Sequence, residues 1–195
     1  MNQDKPLLPI ELIFQLLGIC SQASRFKLNN KSPTTDSIAH IQAVTGVTIP
    51  ELYIRYASET PNGLDLWTLG DDFDERGHIL CQNRYWHEED GLPEKYIIFN
   101  SGHDGDCYCW DREEKSLDCE QCIYHVSVGE DRCTVLGVSK IANNFYEFLG
   151  SELPSMIEYL EYSDNNEPIL QAKRMLNSWL ESQALDIQLA KQDQP

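Results

Sequence analysis

The sequence predicts one domain in which helices near both ends of the chain accompany a sheet formed by its middle. Apolar residues recur at three- and four-residue spacing toward both termini, which is typical of helices with one buried face. Between residues 96 and 138, four short segments have the composition and alternation of strands. The 195 residues are 41% hydrophobic, which is enough for one ordinary core. There is no internal repeat and no low-complexity linker.

The first third of the chain predicts three helices. The first covers residues 9–20, where apolar residues have helical spacing. The second begins at Thr35 or Asp36, either of which can cap free amide groups, and stops at Gly46. The third begins at Pro50, because proline suits the first position of a helix.

Strands are expected in the middle of the chain. A short strand is expected over 64–69, whereas 70–94 has no clear pattern. A tight Gly-Glu-Asp turn at 129–131 predicts that the last two strands form a hairpin. The four main strands are predicted at Tyr96–Asn100, Asp106–Asp111, Gln121–Val128 and Arg132–Val138.

The last third predicts helices again. Ile141 and Phe145 begin a helical pattern that Gly150 is expected to end. A second helix is expected from Pro154 to Tyr162. A long third helix follows Asn165 or Asn166, either of which can cap it.

The charge of the chain limits its possible partners. The net charge is −17, and residues 59–132 alone carry 19 acidic and 6 basic side chains. Such a field repels nucleic acids and anionic membranes, and it favours encounter with a basic partner. No apolar run is long enough to span a membrane, and no secretory signal is recognised. Seven cysteines, an odd number without an export signal, favour reduced thiols and a cytoplasmic location.

Four of the cysteines raise the possibility of a zinc site. Cys107 and Cys109 precede Cys119 and Cys122, and four thiolates suit tetrahedral zinc. On a strand, however, the first two would share a face and be separated by two residue rises, about 6.6 Å. Zinc-binding thiols more often converge from a turn. Reduced, partly buried thiols are therefore the favoured interpretation, and zinc remains the alternative.

No catalytic motif is present in the sequence. It lacks a nucleophile elbow, a phosphate-binding glycine loop and a metalloprotease helix motif. The one cluster of interest is His103 beside Asp104 and Asp106, and such a histidine is more often a turn residue than a base. We therefore expect a protein that is not an enzyme and needs no cofactor.

A binding surface is the remaining interpretation of the middle of the chain. Aromatic residues accompany the carboxylates there, and interfaces combine aromatic anchors with a charged rim. Trp67 and Trp110 are the candidate anchors. The candidate charges are Asp104, Asp106, Asp111, Glu113 and Glu114.

The order of these motifs resembles one known family. The chain has Thr45-Gly46-Val47-Thr48-Ile49-Pro50 before a Tyr-containing helix, and Asn62-Gly63 after it. A central Leu92-Pro93, Ile97-Ile98-Phe99 and Gly105-Asp106-Cys107-Tyr108 series follows, then Ile123-Tyr124 and a closing Ala142-Asn143-Asn144-Phe145-Tyr146-Glu147-Phe148-Leu149. In this order and spacing, over roughly residues 36–150, the series is similar to the SUKH superfamily, which includes a yeast cell-wall-assembly regulator.

The resemblance implies an α+β fold with a mixed or antiparallel sheet flanked by helices. It further implies a family domain over 35–150, with an N-terminal helix-and-loop extension over 1–34. A C-terminal helical extension over 151–195 is expected to pack on that domain. Gly105, Asp106 and Asp111 are then first of all turn and strand determinants.

The same resemblance implies a function in binding. Bacterial members mostly neutralise protein toxins of polymorphic or contact-dependent systems, and others act as regulatory interaction scaffolds. The leading hypothesis is an immunity protein for a basic toxin such as a nuclease. The alternative is a non-catalytic regulatory scaffold. We expect no nucleic acid or membrane partner, and a monomer or homodimer.

Overall fold

The computed structural model describes residues 7–23, 33–59, 69, 78–101, 107–115, 121–129, 134–164 and 167–192. These residues form an α+β fold. The helices are α1 (Ile10–Ala23), α2 (Thr35–Thr45), α3 (Glu51–Glu59), α4 (Ile79–Glu88), α5 (Phe145–Asp164) and α6 (Glu167–Gln192). The strands are β1 (Tyr96–Ser101), β2 (Cys107–Lys115), β3 (Gln121–Val128) and β4 (Val135–Ala142). No helix in these ranges is long and apolar enough to cross a membrane.

The chain divides into two compact units. One combines Met1–Arg25 with Leu149–Pro195, and the other is Phe26–Phe148. The boundaries of the family domain that the sequence predicts, after residues 34 and 150, stay a prediction. That the C-terminal extension packs on the family domain remains a prediction.

The ends of α2 follow from local chemistry. Thr34 is the N-cap: its Oγ1 accepts from the Ser37 N–H at 3.1 Å, and the Thr34 N–H donates to Ser37 Oγ at 3.0 Å. This reciprocal pair satisfies two amide groups that the helix itself leaves free. Gly46 ends the helix with a φ of 72°, a conformation that glycine adopts at little cost. The predicted stop is confirmed, and the cap lies one residue before the predicted Thr35.

The four strands form one antiparallel sheet in the order β1-β2-β3-β4. Of the two alternatives that the sequence left, mixed or antiparallel, the structure has the antiparallel sheet. The predicted hairpin between the third and fourth strands is present. The fourth strand, however, begins three residues later than predicted and ends at Ala142, so Ile141 belongs to a strand rather than to the following helix.

β4 contains two irregularities in its pairing with β3. Ser127 pairs with Gly137 and the next β3 residue pairs with Val135, so Leu136 has no partner of its own. The same offset near the other end of the strand leaves Ile141 unpaired. These are bulges, in which two residues of one strand oppose one residue of its neighbour. Only the four residues from Gly137 to Lys140 pair in regular register between them.

Aromatic side chains pack on one face of the sheet. The Phe99 ring of β1 lies 4.5 Å from the Trp110 ring of β2, measured between centroids. Tyr53 of α3 packs edge-on against Trp110 at 5.3 Å and against Phe145 of α5 at 5.0 Å. Edge-to-face contacts at these distances add to the free energy of burial. The cluster therefore joins α3, the first turn of α5 and the sheet in one core.

The opposite face of the central strands is buried as well. Cys107 and Cys109 of β2 are fully buried, and so is Val126 of β3. Residues of β2 alternate between the two faces, and in its first half only Tyr108 is partly exposed, whereas Cys107, Cys109 and Trp110 are buried.

α4 lies in the segment where the sequence showed no pattern. His78 caps it, because its Nδ1 accepts from the Leu80 N–H at 3.1 Å. The buried residues of the helix are Ile79, Asn83 and Trp86, of which one is polar. An apolar stripe this sparse explains why periodicity did not reveal the helix.

The terminal unit is helical. α1 packs against α6, with Ile13, Leu16 and Leu17 buried on the first helix and Ile169 and Ala172 on the second. Each set has the spacing of one helical face.

α5 is one helix rather than the two that the sequence predicted, because it continues through Gly150 and contains Pro154. Its buried Leu149, Leu153 and Ile157 recur every four residues, so the apolar stripe is continuous across the expected break.

Candidate functional site

The predicted binding residues do not form a single described surface. Trp67, Asp104 and Asp106 lie outside the described residues, as does His103. Of the remaining four, Trp110 and Asp111 are buried, whereas Glu113 and Glu114 are exposed.

Trp110 is a core residue, which corrects its assignment as a surface anchor. Its exposed fraction is 0%, and its ring contacts Tyr53 and Phe99. Its Nε1 is buried without a hydrogen-bond partner among the described residues. The strand places it toward α3 and α5, so a partner cannot reach it in this conformation.

Asp111 is also buried, and its charge is used within the protein. Its Oδ2 lies 2.7 Å from Lys95 Nζ, and its Oδ1 accepts from the Glu113 N–H at 2.9 Å. The hydrogen bond with Asp111 raises the pKa of Lys95. The ion pair therefore holds Lys95, the residue before β1, against β2. Asp111 is not part of a charged outer surface.

Glu114 belongs to a small polar cluster that bridges three strands. It accepts a hydrogen bond from the Tyr124 hydroxyl, and its Oε1 lies 3.6 Å from Lys140 Nζ. Burial, and then the bond to Glu114, raise the pKa of Tyr124. A hydrogen bond with the Cys122 thiol raises the pKa of Lys140. Lys140 thus partly neutralises Glu114, whereas the Glu113 side chain is exposed to solvent.

The central thiols have structural partners. Cys107 Sγ lies 3.8 Å from the Val126 carbonyl oxygen, and Cys109 Sγ lies 3.7 Å from that of Tyr124. Burial raises the pKa of Cys109 well above its usual value, which disfavours a reactive thiolate. Among the described residues no group of three or more His, Cys, Asp or Glu side chains could hold a metal ion. Cys119 lies outside those residues, so a four-thiol zinc site remains a hypothesis.

An exposed apolar patch on β4 is the feature that sequence reasoning missed. Leu136 is 69% exposed, Val138 42% and Ile141 37%. A strand this apolar is ordinarily interpreted as buried. The available signal was its place as the last strand of a meander, since such a strand forms a sheet edge. We call Leu136, Val138 and Ile141 the β4 patch.

One comparison with known proteins identifies a domain. The model of the SMI1 / KNR4 family (SUKH-1) matches residues 32–151, which is more than half of the chain. It spans α2 to the first turns of α5 and includes the whole described sheet. No curated protein matches the chain significantly.

Proposed function

This chain belongs to the SMI1/KNR4 family (SUKH-1), and from that premise we propose that it is an immunity protein that binds and neutralises a protein toxin. The family includes toxin immunity proteins, and its members are generally non-catalytic immunity or regulatory proteins. The family match is the observation that carries the proposal.

The charge of the chain supports a basic target. A protein with a net charge of −17 attracts a cationic surface over a distance of about one Debye length, roughly 8 Å at physiological salt. Nucleases present such surfaces, because they must bind phosphates. The immunity protein would act by occupying that surface, through shape and charge, without any chemical step.

The chemistry of the central strands agrees with a binding role. Asp111 is held in an ion pair, and the Cys109 thiol has a raised pKa. Neither group is free to act as a base or a nucleophile. Cys20, Cys81, Cys109 and Cys122 are reduced thiols, which supports a reducing, cytoplasmic location.

Co-expression tests the proposal directly. A toxin domain, where the neighbouring gene encodes one, is expressed in a susceptible host with and without the chain. We expect growth only when the chain is present, and co-purification of the two proteins. A catalytically inactive toxin controls for expression load. Growth arrest in the presence of well-expressed chain would contradict the proposal.

A regulatory scaffold is the second candidate, and one observation favours it. α6 exposes two leucines, Leu180 and Leu185, on its second half. Light scattering of the wild type and of L180Q/L185Q distinguishes the candidates. A wild-type homodimer that the double variant loses, combined with no protection from a toxin, would favour the scaffold.

A further inference from the structure

We propose that the outer edge of β4 is the surface that binds the toxin, by accepting an extended segment of that basic protein as a fifth strand beside the β4 patch. The inference rests on the proposed function and says which surface of the protein carries it out. Three observations carry it: the opposite edge of the sheet is closed, the edge of β4 is open among the described residues, and that open edge is apolar.

α4 closes the edge of the sheet at β1. The Asn83 Nδ2 donates to the Ile98 carbonyl oxygen at 2.7 Å, and its Oδ1 accepts from the Ile98 N–H at 2.8 Å. One turn later, His87 Nε2 lies 2.9 Å from the Tyr96 carbonyl oxygen. One amide side chain thus satisfies both outward backbone groups of Ile98. No further strand can pair there.

The same bonds determine which groups point outward on β4. The backbone N–H and C=O groups of Ile98 point toward α4 and therefore away from its β2 partner, Cys109. The backbone groups of Cys109 then point toward Tyr124 of β3. Because neighbouring residues of a strand alternate, the backbone groups of His125 point toward β4, where His125 pairs with Ser139. The N–H and C=O groups of Val138 and Lys140 therefore point away from the sheet. No described strand pairs with them.

The β4 patch surrounds this open edge. The two bulges leave Leu136 and Ile141 without partners on β3, and Val138 lies between them. Natural sheet edges are usually protected by charges, prolines, bulges or a covering element. This edge has two bulges and one lysine, whose charge is shared with Glu114, but it also carries three exposed apolar side chains. The regular stretch of four residues suits a short added strand, with apolar contacts at both ends.

Charge selects a basic partner rather than a second copy of this chain. Pairing two β4 edges would bring together two molecules that each carry −17. A cationic segment would gain from the same field, and Glu113 lies exposed on the strand that also carries Glu114. An apolar patch on a chain with a net charge of −17 is complementary to an apolar segment flanked by basic residues.

The double variant L136T/V138T tests the patch. Threonine keeps the preference for strand structure but replaces apolar surface by a hydroxyl. Val44→Thr is the control, because Val44 is an exposed valine on α2, away from β4. The probe is the purified, catalytically inactive form of a toxin domain against which the wild type protects in the co-expression test. By calorimetry we expect the double variant to bind at least tenfold more weakly than the wild type, and V44T to bind within twofold. Circular dichroism confirms that both are folded.

Amide hydrogen exchange tests the backbone. The Val138 and Lys140 amides should exchange readily in the free chain and become protected in the complex. The Ile98 amide should be protected in both states because Asn83 already holds it.

The outcomes separate this inference from the proposed function. If the wild type binds the toxin but L136T/V138T binds as tightly as V44T, the assignment of the binding surface to the β4 edge is overturned and the immunity function stands. If the wild type does not bind, the proposed function fails and this inference with it. A homodimer of the free chain that L136T/V138T dissociates would assign the edge to a second copy and overturn the toxin as occupant.

Discussion

Trp110 and Asp111 are adjacent on β2, and each has a structural role in place of the surface role that the sequence predicted. Trp110 fills the aromatic face of the sheet, whereas Asp111 pairs with Lys95 on the other. Aromatic and acidic residues are common at interfaces, but the same types also build cores and ion pairs. The residue types therefore did not distinguish a structural role for this stretch from a role in binding.

Asp111→Asn tests the ion pair. The change removes the charge that faces Lys95 and keeps an oxygen for the Glu113 N–H. Because Lys95 is partly exposed and can rehydrate, we expect a loss of about 1–2 kcal/mol in the free energy of unfolding, measured by urea denaturation. Glu94→Gln is the control, since that largely exposed carboxylate lies 3.6 Å from Arg112. It should change stability by less than about 0.5 kcal/mol. Equal effects of the two variants would contradict the structural role.

Because the Cys20 thiol is buried, we expect the folded protein to lose stability at alkaline pH. Burial raises the pKa of its thiol from 9.0 to about 11. Between those values the unfolded chain releases the proton while the folded chain retains it, so stability is full below pH 9 and falls toward pH 11. Two pKa units correspond to at most about 2.7 kcal/mol.

Comparison with Cys20→Ala isolates this effect, because other groups titrate equally in both proteins. With reductant present, urea denaturation at pH 8 and pH 11 should show the stability difference between wild type and C20A shrinking by about 1–2 kcal/mol. A difference that stays constant with pH would mean that the thiol is not shielded from water.

At the scale of elements, local signals predicted most of the helices and strands. The stop of α2 at Gly46 and the limits of β3 were read correctly, because caps and alternation are encoded within a few residues. α4 was missed, since only two of its three buried residues are apolar. The break expected at Gly150 was wrong, because the buried stripe of Leu149, Leu153 and Ile157 continues across the glycine.

Asn83→Ala tests how α4 closes the sheet. The variant leaves the Ile98 N–H and carbonyl oxygen without partners beside a buried helix face. Unsatisfied buried groups cost about 1–3 kcal/mol each, so we expect a total loss of about 2–4 kcal/mol in urea denaturation. Gln82→Ala, one residue earlier, should change stability by less than about 0.5 kcal/mol. The Ile98 amide should also exchange faster in the variant. An unchanged exchange rate would contradict the role of Asn83 in closing this edge of the sheet.

Gly150→Ala tests the continuity of α5. An added Cβ would lie 3.4 Å from Leu7 Cγ and Cδ1, which is ordinary contact with a partly exposed side chain. Alanine also favours a helix interior over glycine by about 0.5–1 kcal/mol. We therefore expect a small gain, about 0.5 kcal/mol, and a higher midpoint of thermal unfolding. A clear loss would show that the approach of Leu7 requires glycine.

At the scale of the whole molecule, the net charge predicts a salt-dependent encounter with the toxin. Raising NaCl from 50 to 500 mM should slow association by about tenfold, because charges separated by more than a Debye length are screened. Dissociation should change much less, since it depends on short-range contacts. Stopped-flow measurements with the inactive toxin domain separate the two rates. An association rate that does not vary with salt would contradict electrostatic attraction.

The sequence alone established the class of fold, the order of most elements and the family, and its net charge favours the proposal of a basic partner. These properties depend on local periodicity, caps and composition, which neighbouring residues encode. Only the tertiary structure decided that Trp110 and Asp111 are buried, that Asn83 closes one edge of the sheet and that the β4 patch lies exposed at the other. Burial and strand pairing depend on residues far apart in the chain. No local pattern could therefore distinguish a core strand from an open edge.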